Sequence, residues 1–242
     1  YEKDEGQAPD NGALSGNGAF PPDSDDFDIE TEVSPGPLSH FPSIRYSHPA
    51  ALFFLICIAF TMLYSTSPAR DYLWLSGEAL FDRGEWWRLL TAIATHVNLP
   101  HLLSNALILF VFGWMLHAYF GMTIFPLAAL GVGVITNLAT ISLYEPEIRL
   151  LGASGMAYGM VALWLVFYIR HDTDRRFPSR VFRALGFSAI MLVPTTFEPN
   201  VSYLSHAIGF LIGVVSGIPL AARFLPRVPY GRRPGDVVQK SS

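Results

Sequence analysis

The chain has 242 residues, 51% of them hydrophobic and 15% charged, with a formal net charge of −4 and a mean hydropathy of +0.34. That balance is too apolar for an ordinary soluble domain and suits several membrane spans. Charge is unevenly split, with ten acidic residues against Lys3 and Arg45 in residues 1–45 and an excess of basic residues afterwards, so nucleic acid is not an expected partner.

Residues 1–47 are rich in Gly, Pro, Ser and Asp and are expected to form a disordered acidic tail, unable to offset its ordering entropy by burial. They carry no basic stretch followed by an apolar run, the mark of a signal peptide, and a start at Tyr1 is compatible with a fragment or processed product. Six apolar runs follow, at about 49–65, 101–120, 122–143, 151–169, 181–197 and 203–224. Each approaches the length a membrane helix needs, and internal prolines and glycines are tolerated where neighbouring helices satisfy freed backbone groups. A long connection, about 66–100, separates the first two runs. The expected fold is therefore an all-α polytopic membrane protein, a bundle of six transmembrane helices over residues 48–224 with a long first outer loop. Residues 225–242 read as a basic C-terminal tail. Cys57 stands alone in an apolar run, so it forms no intrachain disulfide and acts as a small hydrophobe.

Basic residues set the expected orientation. Arg170, Arg175, Arg176, Arg180 and Arg183 lie between runs four and five, and Arg223, Arg227, Arg232, Arg233 and Lys240 end or follow run six. The connection between runs one and two carries only Arg70, Arg83 and Arg88, and that between three and four only Arg149. The positive-inside rule then puts both termini in the cytoplasm and the one–two, three–four and five–six connections outside.

Ionisable groups at membrane depth are costly and mark function by default. Those present are His96 and His101 around the start of run two, His117 near its end, and His206 at the start of run six. His101 and Asn105 share a helix face. Runs two, four and six all start on the outer side, so His101/Asn105, Ser154 and His206 fall in one outer layer. Gly155 and Gly159 in run four, and Gly209, Gly213 and Gly217 in run six, form small-residue rows that permit close helix contact. If the rows meet, His206 comes against Ser154; the glycines are equally explained by packing alone.

The chemistry open to such a set is nucleophilic acyl transfer. A serine needs a hydrogen-bonded base, and neutral histidine suits that role near pH 7. The Asn105 amide, the His101 ring and backbone N–H groups near Ser154 are candidate oxyanion donors. No carboxylate lies within the runs, so a Ser–His dyad is expected, with Glu145, Glu147 and Glu198 in outer loops left open as orienting groups. An HExxH zinc signature is absent from the sequence, aspartates are confined to loops and tails, and seven histidines are too few and too scattered for a di-iron cluster. No cofactor or metal is implied.

The ordered set Trp87-Arg88, His96, His101-Leu-Leu-Ser-Asn105, Gly152-Ala-Ser154-Gly155 with Tyr158, and His206-x-x-Gly209-x-x-x-Gly213 resembles the rhomboid family of intramembrane serine proteases over about 86–213. The resemblance implies Ser154 as nucleophile, His206 as general base, and oxyanion donors from His101, Asn105 and backbone N–H groups. It implies that Tyr158 packs on the base, that Gly152, Gly155, Gly209, Trp87 and Arg88 support the site, and that the five–six loop caps it. It also implies transmembrane proteins as substrates. Three positions depart from the family pattern. His117 stands where Glu is common, which is expected to alter an anchor of the first loop; Ser205 replaces alanine before the base; Ser202 replaces an acidic residue. The rival reading is a non-catalytic rhomboid-like factor that binds or routes membrane proteins, and a transporter is disfavoured because no inverted repeat is apparent. A bacterial inner membrane is the first expectation and a eukaryotic secretory membrane the second. Oligomeric state is not legible.

Overall fold

The computed structural model describes residue 38, residues 41–196 and residues 201–226, all within the unit running from Pro35 to Ser242. The expected acidic tail up to residue 37, and the C-terminal tail from residue 227, lie outside the described residues. What is described is almost entirely helical, as the apolar runs predict. The long helices are α1 (His48–Thr66), α3 (Leu99–Phe120), α4 (Ala129–Ile141), α5 (Ser154–His171), α6 (Phe177–Thr196) and α7 (Tyr203–Arg223), with a short α2 (Arg88–Ala94) in the first connection. α4 is preceded by a turn at Thr123–Ala128, and the two together are long enough to span.

Four stretches are long and apolar enough to cross a membrane among the described residues: Ile44–Thr66, Leu99–Phe120, Thr123–Ile141 and Tyr203–Arg223. α5 and α6 match two further apolar runs in position but are less apolar. For α5 the reason is packing: it is the buried hub, with Met156, Met160, Leu163 and Phe167 all out of solvent. A helix sheathed by other helices has no need of an all-lipophilic surface, and its small and polar residues face protein instead.

Helix starts follow local chemistry. Asn98 caps α3, its side-chain oxygen accepting from the His101 N–H at 2.8 Å with Pro100 in the first turn. Ser202 caps α7 in the same way, accepting from the Ser205 N–H at 3.0 Å. α3, α5 and α7 run parallel. Their far ends meet where the Phe120 and Phe167 rings lie 4.3 Å apart and His171 Nε2 bonds the Ala221 carbonyl at 3.0 Å.

The first loop has its own small core of Leu75, Leu80, Leu89 and Ala92 packed against Ile141 of α4. Arg88 is buried at its centre. Nε donates to Glu85 Oε2 at 2.7 Å and Nη1 to the Asp71 and Trp74 carbonyls, both at 2.7 Å. Backbone bonds exchanged between Leu75 and Leu150 at 2.9 and 2.7 Å tie the loop to the strand-like segment just before Gly152.

Candidate active site

Gly152 turns the chain into α5. Its φ of +117° lies in the region that disfavours side chains, and a Cβ there would stand 3.1 Å from His101 Cε1, so glycine is needed for both reasons. Its N–H donates to the Ala92 carbonyl at 2.8 Å, fixing the turn to α2. The next N–H, of Ala153, donates to His96 Nε2 at 3.2 Å, while the His96 N–H bonds Thr61 Oγ1 at 3.2 Å. Burial, reinforced by neighbouring His101, pushes the His96 imidazolium down to about 3, so the ring is neutral and Nε2 is a standing acceptor. His96 and His101 meet edge to face with centroids 5.4 Å apart.

Ser154 is the first residue of α5 and is nearly buried. The first N–H groups of a helix have no carbonyl partner within it and lie at its positive end. The Ser154 and Gly155 N–H groups therefore form an anion-seeking pair beside the Ser154 hydroxyl, whereas the Ala153 N–H is already taken by His96.

The two glycine rows meet. A Cβ on Gly209 would fall on the Gly155 carbonyl oxygen and one on Gly213 on the Gly159 carbonyl oxygen. This backbone-to-backbone approach brings His206, three residues before Gly209, onto the Ser154 face of α5. There its ring stacks on Tyr158 with centroids 4.1 Å apart and planes 11° from parallel. Tyr203 closes the other side edge-on at 6.1 Å. Both His206 ring nitrogens are buried and make no hydrogen bond with the described residues, so the Ser154–His206 bond that the spacing suggests is not formed here.

Asn105 is buried in α3, one turn after His101 on the same helix face. One of its amide hydrogens is spent on its own helix, Nδ2 to the His101 carbonyl at 2.9 Å, leaving Oδ1 buried without a partner among the described residues. A cavity of about 950 Å³ opens over Ser154, Gly152, His101 and Ser205. Its wall is pinned by a 2.6 Å hydrogen bond between the Tyr144 and Ser202 hydroxyls. Val201 and Ser202 of the expected cap line this cavity; residues 197–200 lie outside the described residues.

Trp87 and Arg88 stand away from this group. Arg88 holds the first loop together and Trp87 is 52% exposed at the start of α2. The expectation for His117 needs correction. It sits in the last turn of α3, at the opposite end from the first loop, where Nδ1 bonds the Phe125 carbonyl at 3.1 Å and the ring packs edge-on to His48 at 5.7 Å. It secures the α3–α4 connection. His96 is the functional neighbour whose role the sequence reading left unassigned; its burial beside a glycine turn comes only from the folded first loop.

A family model described as Rhomboid domain matches residues 83–223, more than half of the chain and every residue of this site. The chain belongs to the rhomboid family. It is thus an integral membrane protein of a family of intramembrane proteases. This rhomboid chain is 28% identical over 181 residues to YdcA of Bacillus subtilis (strain 168), covering 72% of the chain and 89% of YdcA. It is 30% identical over 159 residues to the rhomboid protease GluP of the same organism, covering 64% of the chain but 30% of GluP. RHOMBOID-like protein 5 of Arabidopsis thaliana is 28% identical over 148 residues, 60% of the chain and 47% of that protein.

Proposed function

We propose that this rhomboid protein is an active serine endopeptidase that hydrolyses peptide bonds in or near the transmembrane segments of membrane-anchored proteins. The observation that carries the proposal is a buried His206 ring, stacked on Tyr158 and delivered to the Ser154 face by the α5–α7 glycine contact, with both nitrogens left for chemistry. Buried polar atoms are rarely left unpaired without cause, and catalytic hydrogen bonds in free enzymes often tighten only when substrate arrives.

In this reading His206 takes the Ser154 hydroxyl proton as Oγ attacks the scissile carbonyl, then returns it to the leaving amine; water repeats the cycle on the acyl-enzyme. The developing oxyanion is met by the Ser154 and Gly155 N–H groups, with the second Asn105 amide hydrogen and the His101 ring as side-chain donors. His96 acts as a positioning residue, holding Ala153 so that the helix start does not drift. The cavity over Ser154 admits the water that hydrolysis requires. The active end faces outward and both termini are cytoplasmic, with the bilayer and single-span substrates as the working partners.

A serine-directed fluorophosphonate applied to the protein in detergent is expected to label wild type and to leave Ser154→Ala dark. Labelling that persists in Ser154→Ala removes the nucleophile assignment. Intact retention of a model single-span substrate, unchanged by the same substitution, favours a binding factor over a protease.

A further inference from the structure

At the opposite end of the bundle, a second cavity of about 230 Å³ opens between α3, α5, α6 and Leu38 and Phe41 of the segment before α1, walled by Tyr119, Trp164, Tyr168 and Phe187 with Arg175 and Arg183 also lining it. Its neighbours make those two cations distinctive. Arg170 Nε is spent on the Ala221 carbonyl at 3.1 Å, and Arg180 on the Arg175 and Ile169 carbonyls at 2.8 and 3.0 Å, so both serve as helix C-terminal caps. Arg175 is held in place by Asp172, with Nη1 3.1 Å from both carboxylate oxygens. Arg183 makes no hydrogen bond or ion pair with the described residues and projects from the exposed side of α6 next to Ala184, which lies buried at the cavity wall.

An aromatic and aliphatic hollow with a fixed guanidinium and an uncommitted one at its mouth matches an amphiphile with an anionic head. Pockets for drug-sized ligands begin at about 300 Å³, so this smaller one takes a headgroup and the first methylenes rather than a whole molecule. The remaining chain has a surface to follow, because Ile190, seven residues after Arg183 and on the same face of α6, is exposed and apolar. Basic pockets between membrane helices on the cytoplasmic side are suited to anionic lipid headgroups, and the orientation proposed above puts this end in that leaflet.

We propose that this cavity is an anionic-phospholipid site, with Arg183 and Arg175 taking the headgroup phosphate and the Tyr119–Trp164–Phe187 wall taking the upper acyl chain. The full chain, reconstituted in nanodiscs of phosphatidylcholine with a minor fraction of phosphatidylglycerol, is released gently and its retained lipids are counted by native mass spectrometry. Wild type is expected to retain phosphatidylglycerol selectively, and Arg183→Gln to retain it about fivefold less, the worth of one well-placed arginine near a charged surface. Ala184→Leu, which fills the cavity and leaves every charge in place, is expected to lower retention as well. Arg176→Gln removes a charge from the α5–α6 connection at a residue that does not line the cavity and is expected to behave as wild type. Equal losses in Arg176→Gln and Arg183→Gln, equal retention of phosphatidylcholine, or full displacement by millimolar inorganic phosphate each overturn the proposal.

Discussion

At Gly209 the backbone of α7 touches the backbone of α5, and a single methyl group there has nowhere to go. The atom it would strike is the Gly155 carbonyl oxygen, which no rotamer change can move. Gly209→Ala is therefore expected to cost about 1–3 kcal/mol through overpacking and to separate His206 from the Ser154 face, lowering thermal stability and proteolysis together. Gly186→Ala on α6 is the control, because a Cβ there meets nothing within 4 Å and alanine is the better helix former. Its unfolding temperature should hold or rise slightly. Equal behaviour of the two variants in a detergent melt would show that the helix contact is not tight. At this scale the sequence was informative because the glycine spacing of four places successive small residues on one helix face. The stacking of Tyr158 on His206 is what the family resemblance implied for that position.

Among the elements, the first loop is held by the Arg88–Glu85 ion pair and by packing against α4. Partial burial raises the Glu85 carboxyl, and hydrogen bonds from Arg88 and Arg83 outweigh it, leaving the group below the ordinary carboxylate range. A carboxyl whose folded value is depressed contributes stability above its unfolded value of about 4.3 and loses it as pH falls through the folded value. The Arg88 knot is therefore expected to loosen on acidification below about pH 4.3, with no stabilisation recovered at higher pH because the group is already ionised there. Limited proteolysis of the loop across that range reads this out. Glu85→Gln should be more cleavable than wild type at pH 7 and should lack the acid-dependent step; a variant with the wild-type step places the titration elsewhere. None of this organisation was legible from residue pattern. Leu75, Leu80 and Leu89 have no sustained period, and α2 is too short to announce itself, so the loop's core exists only because α4 offers Ile141 to pack against.

For the molecule as a whole, the decisive property is which end faces which solvent. The site end carries Arg149 in its short connection, and the opposite end carries the arginines between α5 and α6. Cys57 is fully buried and supplies no background labelling, so single cysteines at exposed positions can report sidedness. In right-side-out vesicles, Glu147→Cys is expected to react with a membrane-impermeant maleimide at once, and Ser179→Cys only after permeabilisation. The reverse pattern would invert the proposed topology and place the Arg175–Arg183 cavity in the outer leaflet.

The sequence by itself determined the helical class and the positions of the long helices among the described residues, and it led us to expect His101, Asn105, Ser154 and His206 in one layer. These depend on local hydropathy, on helix register and on charge in short loops, all of which are written along the chain. Only the tertiary structure decided how those residues meet. It showed the Ala153 N–H committed to His96, one Asn105 amide hydrogen committed to its own helix, and His117 securing the α3–α4 turn instead of the first loop. It also showed α5 to be the helix sheathed by the others, with Met156, Met160, Leu163 and Phe167 out of solvent. Hydrogen-bond partners and sheltered surfaces belong to pairs of segments far apart in sequence, and no single stretch of chain contains the information to pair them.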